Sequence, residues 1–129
     1  MQNKVIRGAA LADLAVTLPF ALPVVAEAVI GLIRYLDVNL GFGTADAFFD
    51  TSSPLSMMFI HIMGVLGVVW ALGRLRHPLY ELSRIDAYAR LIVAGLILYA
   101  ISQGATPVLW VFILTEVAGS AAQLIWARR

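Results

Sequence analysis

Residues 13–34 read DLAVTLPFALPVVAEAVIGLIR. A run this apolar and this long can cross a hydrocarbon core about 30 Å thick, for which about 20 residues suffice. Yet it carries two carboxylates, Asp13 and Glu27, and two prolines, Pro19 and Pro23. An acid in hydrocarbon needs a partner or a polar cavity, so the rest of the chain has to supply one. Each proline removes a backbone donor and crowds the carbonyl four residues earlier, so a bend is expected within the run. Extended to its polar flanks, the run becomes a first span over residues 8–36.

Three more apolar runs follow, at residues 54–73, 85–103 and 107–127. Ser53 before Pro54 and Thr106 before Pro107 each pair an N-cap hydroxyl with a proline at the first helical position. Gly104 ends the third run, and Pro78 turns the short basic connector 74–84. The expected fold is all-α: one polytopic membrane domain of four transmembrane helices in an antiparallel bundle, with an outer loop at 37–53. Composition agrees. Of 129 residues, 61% are hydrophobic and 13% charged, against about half and about a quarter in soluble domains. No cysteine is present, which excludes disulfides, thiolate zinc and iron–sulfur clusters. A net charge of +1 gives nucleic acid no reason to bind, and neither metal nor cofactor is expected.

Lys4 and Arg7 precede the first run, as in a signal peptide. The apolar stretch is longer than the roughly 7–15 residues of an h-region, and Asp13 and Glu27 do not belong in one. It reads as a retained first span, with the mature N-terminus near Met1. Lys4, Arg7, Arg74, Arg76, Arg84, Arg128 and Arg129 collect on one side, and Arg34 with Asp37, Asp46 and Asp50 on the other. By the positive-inside rule both termini face the cytoplasm and the protein sits in the cell (inner) membrane. Trp70 and Trp126 then fall near the inner boundary, Tyr35 and Trp110 near the outer one. In the loop, Thr44 is placed to cap a short helix carrying Phe48 and Phe49, which dip into the interface or lid an outer cavity. The stretches 7–16 and 84–93 are identical at half their positions. Phe59 and Phe112 each follow a cap-plus-proline start by five residues. Two related hairpins would produce that pattern.

Depth follows from counting about 1.5 Å per residue. Asp13 lies six residues after Arg7 and Arg90 six after Arg84, so an ion pair between the first and third spans is expected, braced by Gln123. It serves either as a clamp or in proton or anion movement. Glu27 and His61 both count into the outer third, within reach of a hydrogen bond. A carboxylate with an imidazole suits acid–base chemistry, and the plainer alternative is a contact that fixes helix register. On an ideal helix Asp13, Thr17, Glu27 and Arg34 share one stripe. Glu116 lies near the midplane with no basic residue at its counted depth, so it is expected to be neutral or to meet water or a ligand. Candidate catalytic residues are therefore Glu27, His61 and Glu116. With Tyr99 they are also the candidate ligand-binding set. His61 and His77 stand at opposite ends of one span and cannot share a haem within one chain. Gly64, Gly67, Gly119 and Ser120 are small residues for close helix packing.

With four short spans, both ends inside, Arg7 opening the first and Glu116-Val-Ala-Gly-Ser in the last, the chain resembles the small four-helix membrane proteins around DoxX. It is also similar to the EXPERA type of the emopamil-binding proteins. The first resemblance implies an accessory membrane subunit. The second implies acid- and histidine-dependent isomerisation of a lipid-like substrate, with Glu27, His61 and Glu116 the available residues. The leading expectation is a protein that binds an apolar, lipid-like ligand or a partner membrane subunit through a polar-lined interior. The alternatives are an integral membrane isomerase acting on a lipid or isoprenoid, and an oligomeric proton-coupled transporter. Membrane lipids, an apolar small molecule, and a homo-oligomer or larger membrane complex are the expected partners.

Overall fold

The computed structural model describes residues 2–44 and 50–127. Among them are five α-helices and no strand: α1 (Gln2–Ala21), α2 (Val25–Asn39), α3 (Pro54–Arg76), α4 (Tyr80–Ser102) and α5 (Trp110–Trp126). A 3-10 turn, Pro107–Leu109, leads into α5. Asp46, Phe48, Phe49, Arg128 and Arg129 lie outside the described residues.

Helices α3 and α4 and the segment Pro107–Trp126 are each long and apolar enough to cross a membrane, and α1 with α2 makes a fourth if that bent pair is one span. Only 22%, 22% and 17% of the apolar windows of the first three are buried, so most of their Leu, Ile and Val side chains face outward. Water does not tolerate apolar surface that continuous, whereas hydrocarbon does. The chain is a helical, multi-pass membrane protein.

The first apolar run does more than bend. Helix α1 stops at Ala21, residues 22–24 turn, and α2 leaves at 103° to α1. Pro23 has no N–H to give the Pro19 carbonyl, and Leu22 N closes a tighter turn onto that oxygen at 3.4 Å. Val24 then takes φ 69°, a left-handed conformation that costs a β-branched residue about 1–3 kcal/mol. The break separates Asp13 and Thr17 on α1 from Glu27 and Arg34 on α2, so the single stripe expected of a straight helix does not form. The span boundaries shift as well, since α3 runs on to Arg76 and α4 starts at Tyr80.

Two antiparallel pairs make the bundle, α1 on α3 and α4 on α5. Thr17 meets Gly67 while Phe20 and Ala21 meet Gly64, so residue numbers rise along α1 as they fall along α3. Likewise Ser120 Oγ donates to the Ala87 carbonyl at 2.8 Å, one turn from the contact between Gly119 and Arg90. This is the pairing expected of two successive hairpins. Between helices in lipid there is little hydrophobic drive, so close approach at small residues and polar contacts must hold them.

Helix α2 crosses the end of the bundle nearest the 40–53 loop. Ala26 and Ile30 pack with Met57, Ile60 and Phe20, and Leu32, Tyr35 and Leu36 face out. Its far end is tied down by Asp37. That side chain is buried and accepts from Thr106 Oγ1 at 2.6 Å, Thr44 N at 3.1 Å and Thr44 Oγ1. Thr106 in turn caps the 3-10 turn, accepting from Val108 N at 3.3 Å, and Gly104 ends α4 at φ 103°. Removing the carboxylate strands both hydroxyls. Asp37→Ala is therefore expected to speed amide hydrogen exchange across α2 while leaving the central turns of α3 unchanged. Equal exchange in both proteins would show that the bond holds nothing in place.

In the loop itself, Asp50 accepts from Ser52 N at 2.9 Å and Ser52 Oγ at 2.5 Å, which holds its carboxyl below the usual range. The turn delivers Ser53 to cap α3, where Ser53 Oγ accepts from Ser56 N at 3.4 Å.

Candidate functional site

The basic half of the bundle encloses an ion cluster contributed by four helices. Its centre is Asp86 on α4, which accepts four hydrogen bonds. Trp70 Nε1 donates to Oδ1 at 2.7 Å; Arg74 Nη1 at 2.5 Å, Gln123 Nε2 at 2.7 Å and Arg90 Nε at 2.9 Å donate to Oδ2. Asp13 on α1 bridges the two guanidiniums, taking Arg74 Nη2 on one oxygen and Arg90 Nη2 on the other. Glu116 on α5 takes Arg90 Nη1 on Oε2 at 3.0 Å. Ser83 Oγ donates to Gln123 Oε1 at 2.9 Å, orienting the amide so that its NH2 faces Asp86. Arg74 is fully buried and Arg90 is 7% exposed. Buried charges persist in such surroundings only when paired and hydrogen-bonded. The Arg74 Nε–H is buried without an acceptor, and the guanidinium also stacks 5.6 Å from the Trp70 ring.

Asp13 and Arg90 thus meet, with Gln123 in the same layer bound to Asp86. Glu116, expected to have no basic residue at its depth, pairs with Arg90. Counting depth along the helix neglects side-chain length, and an extended arginine reaches farther than one helical turn of about 5.4 Å.

Glu27 and His61 do not form the expected pair. His61 Nδ1 lies 2.9 Å from the Phe20 carbonyl oxygen, which the break after α1 deprives of its helical donor. The contact requires Nδ1–H as donor, so His61 caps the break, and it makes no hydrogen bond to Glu27. Glu27 sits in the first turn of α2, and its Oε2 is buried without a hydrogen-bond partner. Tyr99 is 65% exposed and stands on the outer face of α4. Among the described residues Glu27, His61, Glu116 and Tyr99 make no hydrogen bond or ion pair with one another. The described residues include no group of His, Cys, Asp or Glu arranged to hold a metal ion.

A cavity of about 360 Å³ lies elsewhere, beneath α2 and between the two helix pairs at the loop end. Ile30 and Ile33 of α2 cover it; Phe20, Ile60, Ile97 and Phe112 supply much of its wall. The single polar side chain in its lining is Thr106, whose hydroxyl is already given to Asp37. The ion cluster fastens the pairs at one end and the Asp37–Thr106 bond at the other, and the cavity is the gap between.

No family model, curated protein or solved structure matches this chain. Residue roles therefore rest on geometry. Three participants escape a reading by depth. Arg74 counts as a connector residue when the second span stops at Gly73, yet α3 continues to Arg76. Asp86 opens the third span; its signal is the four-residue spacing to Arg90, matched by Trp70 and Arg74 on α3. Asp37 reads as an outer-loop acid, and nothing local in the sequence reveals its bond to Thr106, 69 positions away.

Proposed function

We propose that this protein binds an apolar, lipid-like molecule in the cavity beneath α2. One observation carries the reading: a preformed space of about 360 Å³, within the 300–1,000 Å³ range of ligand pockets, walled by aliphatic and aromatic side chains. Such a wall recognises a hydrocarbon chain or ring and offers nothing to a polar solute. Met63 lines the cavity and is 65% exposed, placing one edge of the space at the outer face of the bundle, where a lipid-like ligand would arrive from the bilayer. Support comes also from the ion cluster, whose polar groups are largely committed to one another. The ligand is thus assigned to the apolar cavity and the cluster to structure. The proposal keeps the DoxX-like resemblance at the level of fold. It places Lys4, Arg76 and Arg84 on the cytoplasmic side of the inner membrane, with both termini there, and it admits a second copy or a partner subunit against the exposed helix faces.

Ala105 sits in the cavity wall. Ala105→Trp should fill the space and lower recovery of co-purifying lipid-like molecules, read by mass spectrometry after gentle solubilisation, by about tenfold. Unchanged recovery in a folded variant would reject the cavity as the binding site.

A further inference from the structure

The ion cluster does not balance. Arg74 and Arg90 stay protonated at every accessible pH, contributing two positive charges. Asp13, Asp86 and Glu116 contribute three negative charges if all are ionised. One uncompensated charge inside a bundle surrounded by hydrocarbon is costly, and a single proton removes it. The three carboxyls are not equivalent hosts. Asp86 accepts donors on both oxygens, four in all, so an added hydrogen would collide with them. Asp13 has a guanidinium on each oxygen. Glu116 has one contact, to Oε2, the longest of the five ion pairs at 3.0 Å. Its Oε1 accepts no hydrogen bond among the described residues, and its side chain is 22% exposed, against 20% for Asp13 and 6% for Asp86.

We propose that the cluster is a one-proton binding site and that Glu116 Oε1 carries the proton within the membrane. The groups that set its occupancy are Arg90 and Asp86 on α4, Asp13 on α1 and Arg74 on α3. A neutral Glu116 leaves two cations facing two anions. It also leaves an acid O–H at the edge of the cluster, on an oxygen that no guanidinium occupies. The inference stands apart from ligand binding in the cavity, because no cluster residue lines that space.

A hydrophobic carbodiimide tests it directly, since the reagent partitions into bilayers and reacts only with a protonated carboxyl. The acid O–H adds across one C=N bond, the carboxyl oxygen binding the central carbon and the proton a nitrogen. The O-acylisourea then rearranges to a stable N-acylurea, and no atom leaves. Incubation of the whole protein in vesicles with dicyclohexylcarbodiimide at neutral pH, followed by peptide mass spectrometry, should find the adduct on Glu116 and not on Asp13 or Asp86. Infrared difference spectra between wild type and Glu116→Gln should show a protonated-carboxyl band present only in the wild type. Glu116→Gln is the neutral mimic of the protonated side chain, so its melting temperature should not fall. Wild-type protein with no adduct on Glu116, an adduct on either aspartate, or no band lost in the variant would overturn the proposal.

Discussion

Asp86→Ala should cost the bundle about 3–5 kcal/mol, the loss typical of breaking a buried ion pair from one side. This one side chain receives hydrogen bonds from α3, α4 and α5. Its removal leaves Trp70 Nε1 and Gln123 Nε2 without their acceptor and takes one contact from each guanidinium. Arg74 keeps Asp13, and Arg90 keeps Asp13 and Glu116, so the helices stay partly tethered. Tryptophan fluorescence during thermal unfolding in mild detergent would measure the loss, and Trp70 reports from within the cluster. Melting at the wild-type temperature would mean that Asp86 is dispensable. The variant also couples to the proton on Glu116. With Asp86 gone, two cations face two carboxylates, and the count balances only when Glu116 is ionised. Asp86→Ala that remains folded should therefore lose carbodiimide labelling at Glu116.

The number of apolar runs, their cap-plus-proline starts and the meeting of Asp13 with Arg90 could all be read from the chain. These features are local or depend on a count along a helix, and helix geometry preserves both. Three others could not. Two prolines announce a bend but not its angle, because the 103° turn depends on Val24 entering the left-handed region and on His61 meeting the Phe20 carbonyl from another helix. The partner of Glu116 was hidden because depth counting locates Cα atoms, whereas Arg90 pairs through a guanidinium at the end of a long side chain. The cavity has no linear signature at all. Its wall is the same Ile, Phe and Met that line any packed interior, and it exists because α2 is thrown across the gap between two helix pairs.

The second large effect is expected at Gly64, where helices approach backbone to backbone. A Cβ placed there would lie 2.5 Å from the Phe20 carbonyl carbon and 2.8 Å from Ala21 Cα, and it would also strike Ala21 N. No rotamer change relieves a clash with main chain, so α1 and α3 must move apart. That displacement would pull the Phe20 carbonyl from His61 Nδ1, now at 2.9 Å. Overpacking usually costs about 1–3 kcal/mol, and Gly64→Ala should reach the upper end or exceed it. Gly67→Ala is the graded comparison. Its new Cβ would meet Thr17 Cγ2 at 2.5 Å and Thr17 Cβ at 2.7 Å; rotation about χ1, which gives up the hydrogen bond to the Asp13 carbonyl at 2.8 Å, moves the first atom but not the second, so the two helices must also give slightly. The loss there should be about 1–2 kcal/mol, smaller than at Gly64 because one side chain and not the main chain is struck. Gly8→Ala meets nothing within 4 Å and should be neutral or gain up to about 1 kcal/mol from helix propensity. Thermal unfolding of the three variants in one detergent should rank them Gly64→Ala lowest, Gly67→Ala next and Gly8→Ala highest. If Gly64→Ala melts with Gly8→Ala, α1 and α3 do not touch at this point, and the break in the first apolar run has to be held by something other than α3.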